Sequence, residues 1–246
     1  MKSLTTIFAA SIIAFTPISA MGDQLTGDQI KKLALEAILE NPEIIRDAIT
    51  LLQEKEELAK REERKAVIQS QIVALEQDEN APVLGNPNGD VTVVEFFDYN
   101  CPYCKSAVPM IKAAIKNDPN LRIVYREWPI LSEGSMFAAR AALAAREQGK
   151  YEELHWELME VRGRIDEAVV IKAAENVGLD VDKLRTDMKT PQIDAHIEKS
   201  MQLAQLLSFS GTPSFVVGEN VAPGLISPNQ LQDMIDEARE VQAAKE

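Results

Sequence analysis

Glu95-Phe96-Phe97-Asp98-Tyr99-Asn100-Cys101-Pro102-Tyr103-Cys104 is the stretch on which the fold of this chain turns. With Val91, Val93 and Val94 upstream, residues 91–99 form a run rich in Val and Phe that reads as a buried strand. Residues 102–117 carry Val108, Ile111, Ala114 and Ile115 at helical spacing, and Pro102 suits a first helical turn. A strand feeding a helix through Cys-x-x-Cys sets the first sulfur at the helix mouth. Unsatisfied N–H groups and the positive end of the helix dipole gather there, and a thiol pKa falls below its usual value of about 8.5. Thiol–disulfide exchange needs a thiolate to attack and a second thiol to resolve the mixed disulfide. The spacing assigns attack to Cys101 and resolution to Cys104, one turn deeper.

The chain has only these two cysteines. A disulfide closing so small a loop removes little entropy from the unfolded chain, so it is a poor structural staple. A metal half-site is the competing reading. A closed zinc site needs four ligands, and the two histidines, His155 and His196, have no ligand-like spacing. No metal or cofactor is therefore expected, although copper held between copies through soft thiolates stays open.

Downstream, 121–127 reads as a second strand ended by Trp128-Pro129. Helices are expected over 133–149, 151–161, 167–177, 181–188 and 191–208, punctuated by Gly149, Gly163 and Gly178. After Gly211-Thr212-Pro213, a strand at 214–217 turns through 218–220 into a short return near Val221, and a helix over 228–243 closes the chain. Residues 79–90, with Pro, Gly, Asn and Asp throughout, read as a loop.

Upstream, 23–40 reads as a helix interrupted by Asn41-Pro42, and a second helix carries Ile44, Ile45, Ala48, Ile49, Leu51 and Leu52. Residues 54–65 are almost all charged, a solvated helix. Apolar positions resume at Val67, Ile68, Ile72, Val73 and Leu75. This arm, 23–78, has apolar faces and no partner within itself, so it packs on the main domain or on other copies of itself. Residues 1–20 read as a signal peptide: Lys2, an apolar run over 4–15, and Ala20 at a cleavage point. That run is too short to span a bilayer, and an uncleaved anchor is the alternative. Export, with the periplasm as destination, is expected. The formal net charge of −13 argues against nucleic acid as a partner, because phosphate binding needs clustered Lys and Arg.

The quoted stretch, together with Gly211-Thr212-Pro213-Ser214-Phe215, resembles the DsbA-like thioredoxin-fold oxidoreductases over about residues 80–245. The resemblance implies an α/β architecture: a thioredoxin fold with a helical subdomain inserted at 133–209, preceded by the N-terminal helical arm. It implies that Pro213 is cis and faces the cysteines, and that Thr212 offers backbone groups to a substrate peptide. An ordinary trans turn is the plain alternative for Pro213. It also implies that Glu95 is buried near the thiols and assists proton transfer, where an exposed strand carboxylate is the alternative. Tyr103, beside the thiols, is expected to touch substrate, with a simple surface aromatic as the alternative. Strongly oxidising members carry His where Tyr103 stands and Val where Thr212 stands. Those two departures resemble isomerase-type proteins and the ScsC-like branch, whose members can carry an oligomerising arm. The expected function is exported thiol–disulfide exchange, by oxidase or isomerase chemistry, on proteins with thiols or disulfides. A membrane redox partner would reset the pair, and residues 23–78 would assemble a homo-oligomer. A dedicated monomeric dithiol oxidase and a periplasmic copper-handling thiol protein are the alternatives.

Overall fold

The structure, a computed structural model, describes residues 26–244. The signal peptide expected at 1–20 and the first residues of the arm lie outside them. Five strands form one sheet in the order β1-β3-β2-β4-β5: β1 Val83–Gly85, β2 Val91–Phe97, β3 Leu121–Glu127, β4 Ser214–Val217 and β5 Asn220–Pro223. β2 and β3 run parallel, and α3 (Pro102–Asn117) makes the crossover between them. β1 is antiparallel to β3, and the β4–β5 hairpin adds antiparallel to β2. Between β3 and β4 stand α4 Glu133–Ala145, a 3-10 turn Arg146–Gln148, α5 Tyr151–Glu160, α6 Glu167–Asn176, α7 Val181–Asp187 and α8 Pro191–Leu206; α9 Pro228–Ala243 closes the chain. This is the thioredoxin fold with its inserted helices.

Side chains on a strand alternate between faces, and β2 shows what this does here. Val93 and Phe97 join a core shared with α3, α9 and the inserted helices, and Cys101 and Cys104 belong to the same cluster. Val94 and Phe96 face the other way, into a second core with Val124, Trp128, Leu203 and Leu207. Glu95 shares the register of Val93 and Phe97, so it is aimed at the α3 side. Helix starts are set by side-chain caps. Ser132, Asp166 and Asp180 each accept an N–H from the first turn, and Ser227 forms a capping box with Gln230.

One feature differs from the sequence expectation. The loop expected over 79–90 contains the edge strand β1, whose three residues are too short to show alternation. Gly85, with φ +74°, ends it where a Cβ would meet the Leu121 carbonyl oxygen at 2.5 Å. The arm, expected to pack on the main domain or on other copies of itself, does the first with its C-terminal part. α1 (Gly27–Glu40) is followed by one unbroken helix, α2 (Glu43–Glu76), and the chain divides into compact units between Glu56 and Glu57, inside α2. The C-terminal half of α2 belongs to the sheet-bearing unit. Ile68 and Leu75 are fully enclosed in the second core, and Ile72 packs beside them. Positions 68, 72 and 75 share one helical face, whereas Val73 falls off it and is 62% exposed. In the first unit α1 is capped by Thr26 and Gln29 and buries no residue. Among the described residues no helix is long and apolar enough to cross a membrane.

Candidate active site

The segment between β2 and α3 is tied down before the first sulfur is reached. Asp98, 1% exposed, accepts the N–H of Asn100 at 2.7 Å and those of Ile130 and Leu131 at 2.9 and 3.0 Å. Its carbonyl accepts the Cys101 N–H at 3.0 Å. Asn100 reaches the inserted helices. Its amide donates to Ser132 Oγ, Ser135 Oγ and the Ile165 carbonyl, and its Oδ1 accepts the Ile165 N–H at 2.7 Å. Cys101 is then the N-cap of α3, with an extended backbone, and Pro102 opens the helix. Cys104 sits one turn in, 1% exposed against 4% for Cys101. Both are free thiols.

The electrostatics separate the two sulfurs. The Cys101 thiol is lowered from 9.0 to about 5. The hydrogen bond from the Cys104 thiol is the largest cause. Burial opposes it, and the Thr212 side chain and the backbone N–H groups of Cys104 and Tyr103 add to it. Cys104 is pushed far above its ordinary value by burial, by its bond to Cys101 and by the charge of Glu95. Glu95, 3% exposed, is raised from 4.5 to about 8 by burial first and then by Cys101. One sulfur is therefore an anion at neutral pH, its neighbour keeps its proton, and a carboxyl nearby titrates near neutrality.

Opposite the helix mouth, the Thr212–Pro213 peptide is cis. The Cys101 Sγ lies 3.1 Å from the Thr212 carbonyl oxygen, a hydrogen bond that only its protonated form donates. The loop is held from behind: Ser214 Oγ donates to the Gly211 carbonyl, and Gly224 N–H donates to the Pro213 carbonyl at 2.8 Å. Tyr103 points out of the first turn of α3 and is 61% exposed. The structure thus brings Glu95, Cys101, Cys104 and Thr212 into one electrostatic group, with Tyr103 and Pro213 adjoining it in the chain.

Several residues that hold this site were not singled out from the sequence. Asp98 and Asn100 lie inside the quoted stretch, but their partners are 32 to 65 positions away, so local pattern does not reveal them. Lys105 donates to the Val161 carbonyl at 2.7 Å and fastens α3 to the end of α5. Beneath the site lies a buried polar network. Tyr99 Oη and His155 Nδ1 are 3.0 Å apart, Tyr151 Oη donates to Glu127 Oε1 at 2.6 Å, and Glu127 Oε2 is 2.7 Å from His196 Nε2. Burial, and then the charge of Lys112, lower His155 to about 3, so it stays neutral. Both histidines are thus committed to this network. Among the described residues, no group of three or more His, Cys, Asp or Glu stands ready for a metal ion.

The DsbA-like thioredoxin domain family matches residues 92–236, and the N-terminal domain family of the copper resistance protein ScsC matches residues 28–59. A thioredoxin-like oxidoreductase from Silicibacter pomeroyi superposes with a TM-score of 0.68 at 59% identity, covering 68% of this chain and 97% of that one. Proteus mirabilis ScsC in a transitional conformation superposes with a TM-score of 0.65 at 26% identity, covering 87% and 97%. Among curated relatives, the Na(+)/H(+) antiporter NhaA 1 of Salinispora arenicola is 35% identical over 137 residues. That match takes in 55% of this chain, which spans only 21% of the antiporter.

Proposed function

Because the chain belongs to the DsbA-like thiol–disulfide oxidoreductase family, we propose that it exchanges disulfides with protein clients through Cys101 and Cys104, in the periplasm. The observation that carries this reading is the split between the two sulfurs: Cys101 lowered to about 5 at the helix mouth, Cys104 raised and buried beneath it.

The Cys101 thiolate attacks one sulfur of a client disulfide. A Cys101–client bond forms, the client's S–S bond breaks, and the other client sulfur leaves as a thiolate. Cys104 then gives its proton to ionised Glu95 and attacks the Cys101 sulfur; the Cys101–client bond breaks, the second client sulfur leaves as a thiolate that takes up a proton from water, and the Cys101–Cys104 disulfide closes. This direction reduces the client by two electrons; its reverse oxidises a client dithiol. When a client thiolate attacks the mixed disulfide before Cys104 does, the client is reshuffled and Cys101 returns unchanged. Holding Cys101 as an anion stabilises the dithiol form, so the disulfide is a good oxidant. Each oxidation leaves the pair reduced, and a membrane redox partner that accepts two electrons resets it. Tyr103 contacts the client, and the Thr212 backbone pairs with it as a short added strand.

The arm, 23–78 as read from the sequence, gathers copies into a homo-oligomer. What supports this is the match of residues 28–59 to the ScsC N-terminal family and the apolar surface before Glu57: Ile30, Leu33, Leu39, Ile49 and Leu52 are each more than half exposed. Several active sites on one particle raise the effective concentration of thiolate around a trapped client, which favours isomerase or mixed activity over a dedicated oxidase. Refolding of scrambled ribonuclease tests isomerase activity, and oxidation of reduced ribonuclease tests oxidase activity. Cys101→Ala should abolish both. Leu33→Glu with Ile49→Glu should lower the mass seen by light scattering and cut isomerase activity more than oxidation. An unchanged mass would overturn the oligomer, and full activity in Cys101→Ala would overturn the chemistry.

A further inference from the structure

A groove of about 840 Å³ opens beside the reactive cysteine, and its inner end is formed by Asn100 and Pro102, the residues on either side of Cys101. Its apolar surface comes from Pro102, Val161 and Leu131, the last 52% exposed, with Met159 buried beneath them. Its outer wall is the loop after α5, which carries Arg162 and Arg164. This loop is not left to wander. Lys105 holds it at the carbonyls of Val161 and Gly163, and Asn100 holds both the N–H and the carbonyl of Ile165. Both anchors come from the segment that carries Cys101, so the backbone bearing the two arginines is held relative to its sulfur.

The charges on this wall are unbalanced. The chain has 39 acidic and 26 basic residues; Arg61, Arg126, Arg140, Arg185 and Arg239 have carboxylate partners, and Arg122 and Arg146 bond the Thr92 hydroxyl and the carbonyls of Asn80 and Glu79. Arg162 and Arg164 are both exposed, and neither makes an ion pair among the described residues. The one carboxylate lining the groove, Glu160, is engaged by Lys112 at 2.9 Å. Two free guanidiniums above an apolar floor suit a ligand with an apolar side chain and carboxylates. Arginine binds a carboxylate through two parallel N–H bonds, which also fixes its orientation.

We propose that this groove is a client-binding subsite that takes an extended, acidic polypeptide segment flanking the client's reactive sulfur. The inference rests on the disulfide-exchange reading and names its substrate class. It selects clients whose cysteines lie a few residues from Asp or Glu, and it steers them electrostatically in spite of the negative charge of the chain as a whole.

The test uses the full-length dithiol protein and two peptide disulfides that differ only in Glu or Gln at three positions near the disulfide. The readout is the ratio of their second-order reduction rates, which cancels any general change in thiol reactivity. The wild type should favour the Glu peptide by about five- to tenfold at low ionic strength, and the ratio should fall towards one in 0.5 M salt. In Arg162→Gln with Arg164→Gln it should fall towards one at every salt concentration. A wild-type ratio near one, or a ratio that the double variant leaves unchanged, overturns the subsite. The neutral hydroxyethyl disulfide, reacted with the wild type, tests the underlying chemistry separately: failure there removes the exchange reading itself.

Discussion

The Cys101 Sγ stands 3.1 Å from the carbonyl oxygen of Thr212, a residue 111 positions away. A carbonyl is an acceptor, so this contact suits the thiol. Against it stand several groups that favour the anion: the Cys104 thiol, the Thr212 side chain and the N–H groups of Cys104 and Tyr103. The donors prevail, and the sulfur is an anion at neutral pH. Thr212 also joins the cis-Pro loop to the helix mouth, so whatever binds along that loop lies against the nucleophile.

Thr212→Val keeps the shape and the carbonyl but removes the hydroxyl. The midpoint pH for Cys101 ionisation should rise by about one unit, the scale of one hydrogen bond to a charged group. The ultraviolet absorbance of the thiolate, followed during titration of the reduced protein, measures this. An unmoved midpoint would remove the Thr212 side chain from the account.

Glu95→Gln should separate stability from turnover. The Glu95 carboxyl is raised to about 8 in the fold against an ordinary 4.5. Its contribution is therefore fully present below pH 4.5 and is lost as pH rises towards 8. The glutamine variant stays neutral, so urea unfolding should show it gaining on the wild type across that window. It also lacks the proton acceptor for Cys104, and its mixed disulfides should persist about tenfold longer or more. Parallel unfolding curves at pH 5 and pH 8 would contradict the burial of the charge.

The two redox forms should respond to pH differently. Cys101, lowered from 9.0 to about 5, contributes stability to the dithiol form that is fully present above pH 9 and lost as pH falls through 5. The disulfide form has no such thiolate. Between pH 5 and pH 9 the dithiol form should gain on the disulfide form by up to about 1.4 kcal/mol per pH unit. Denaturant unfolding of both forms at three pH values checks the slope, and equal slopes would contradict the shift.

Leu75→Ala tests where the sheet-bearing unit begins. Leu75 is fully buried in the second core, so truncation should cost about 2–5 kcal/mol. A cost near zero would place the end of α2 outside the folded unit.

Much of the fold was legible in the chain. β3, β4, α3 and α9 fall where apolar runs and Gly or Pro punctuation put them: α3 and α9 each bury one face in the first core, and β3 and β4 are short apolar runs buried on both faces. The remainder depended on distant partners. Ile68 and Leu75 read as part of an arm that covers either the main domain or another copy, and only Val94, Phe96 and Val124 show which surface they cover. Asp98 and Asn100 look like ordinary loop residues until Ile130 and Ile165 arrive to be held. The cysteine pair was plain from its spacing. Its mechanical support was not, since hydrogen bonds across tens of residues leave no local pattern.

The central claim concerns one sulfur, and its alkylation profile tests it most directly. Reduced wild-type protein is pulsed with iodoacetamide from pH 3 to pH 10, and labelled Cys101 is quantified by peptide mass spectrometry. The account predicts half-maximal reactivity near pH 5, with Cys104 unlabelled throughout. A Cys101 midpoint near 8.5, that of a free thiol, would contradict it.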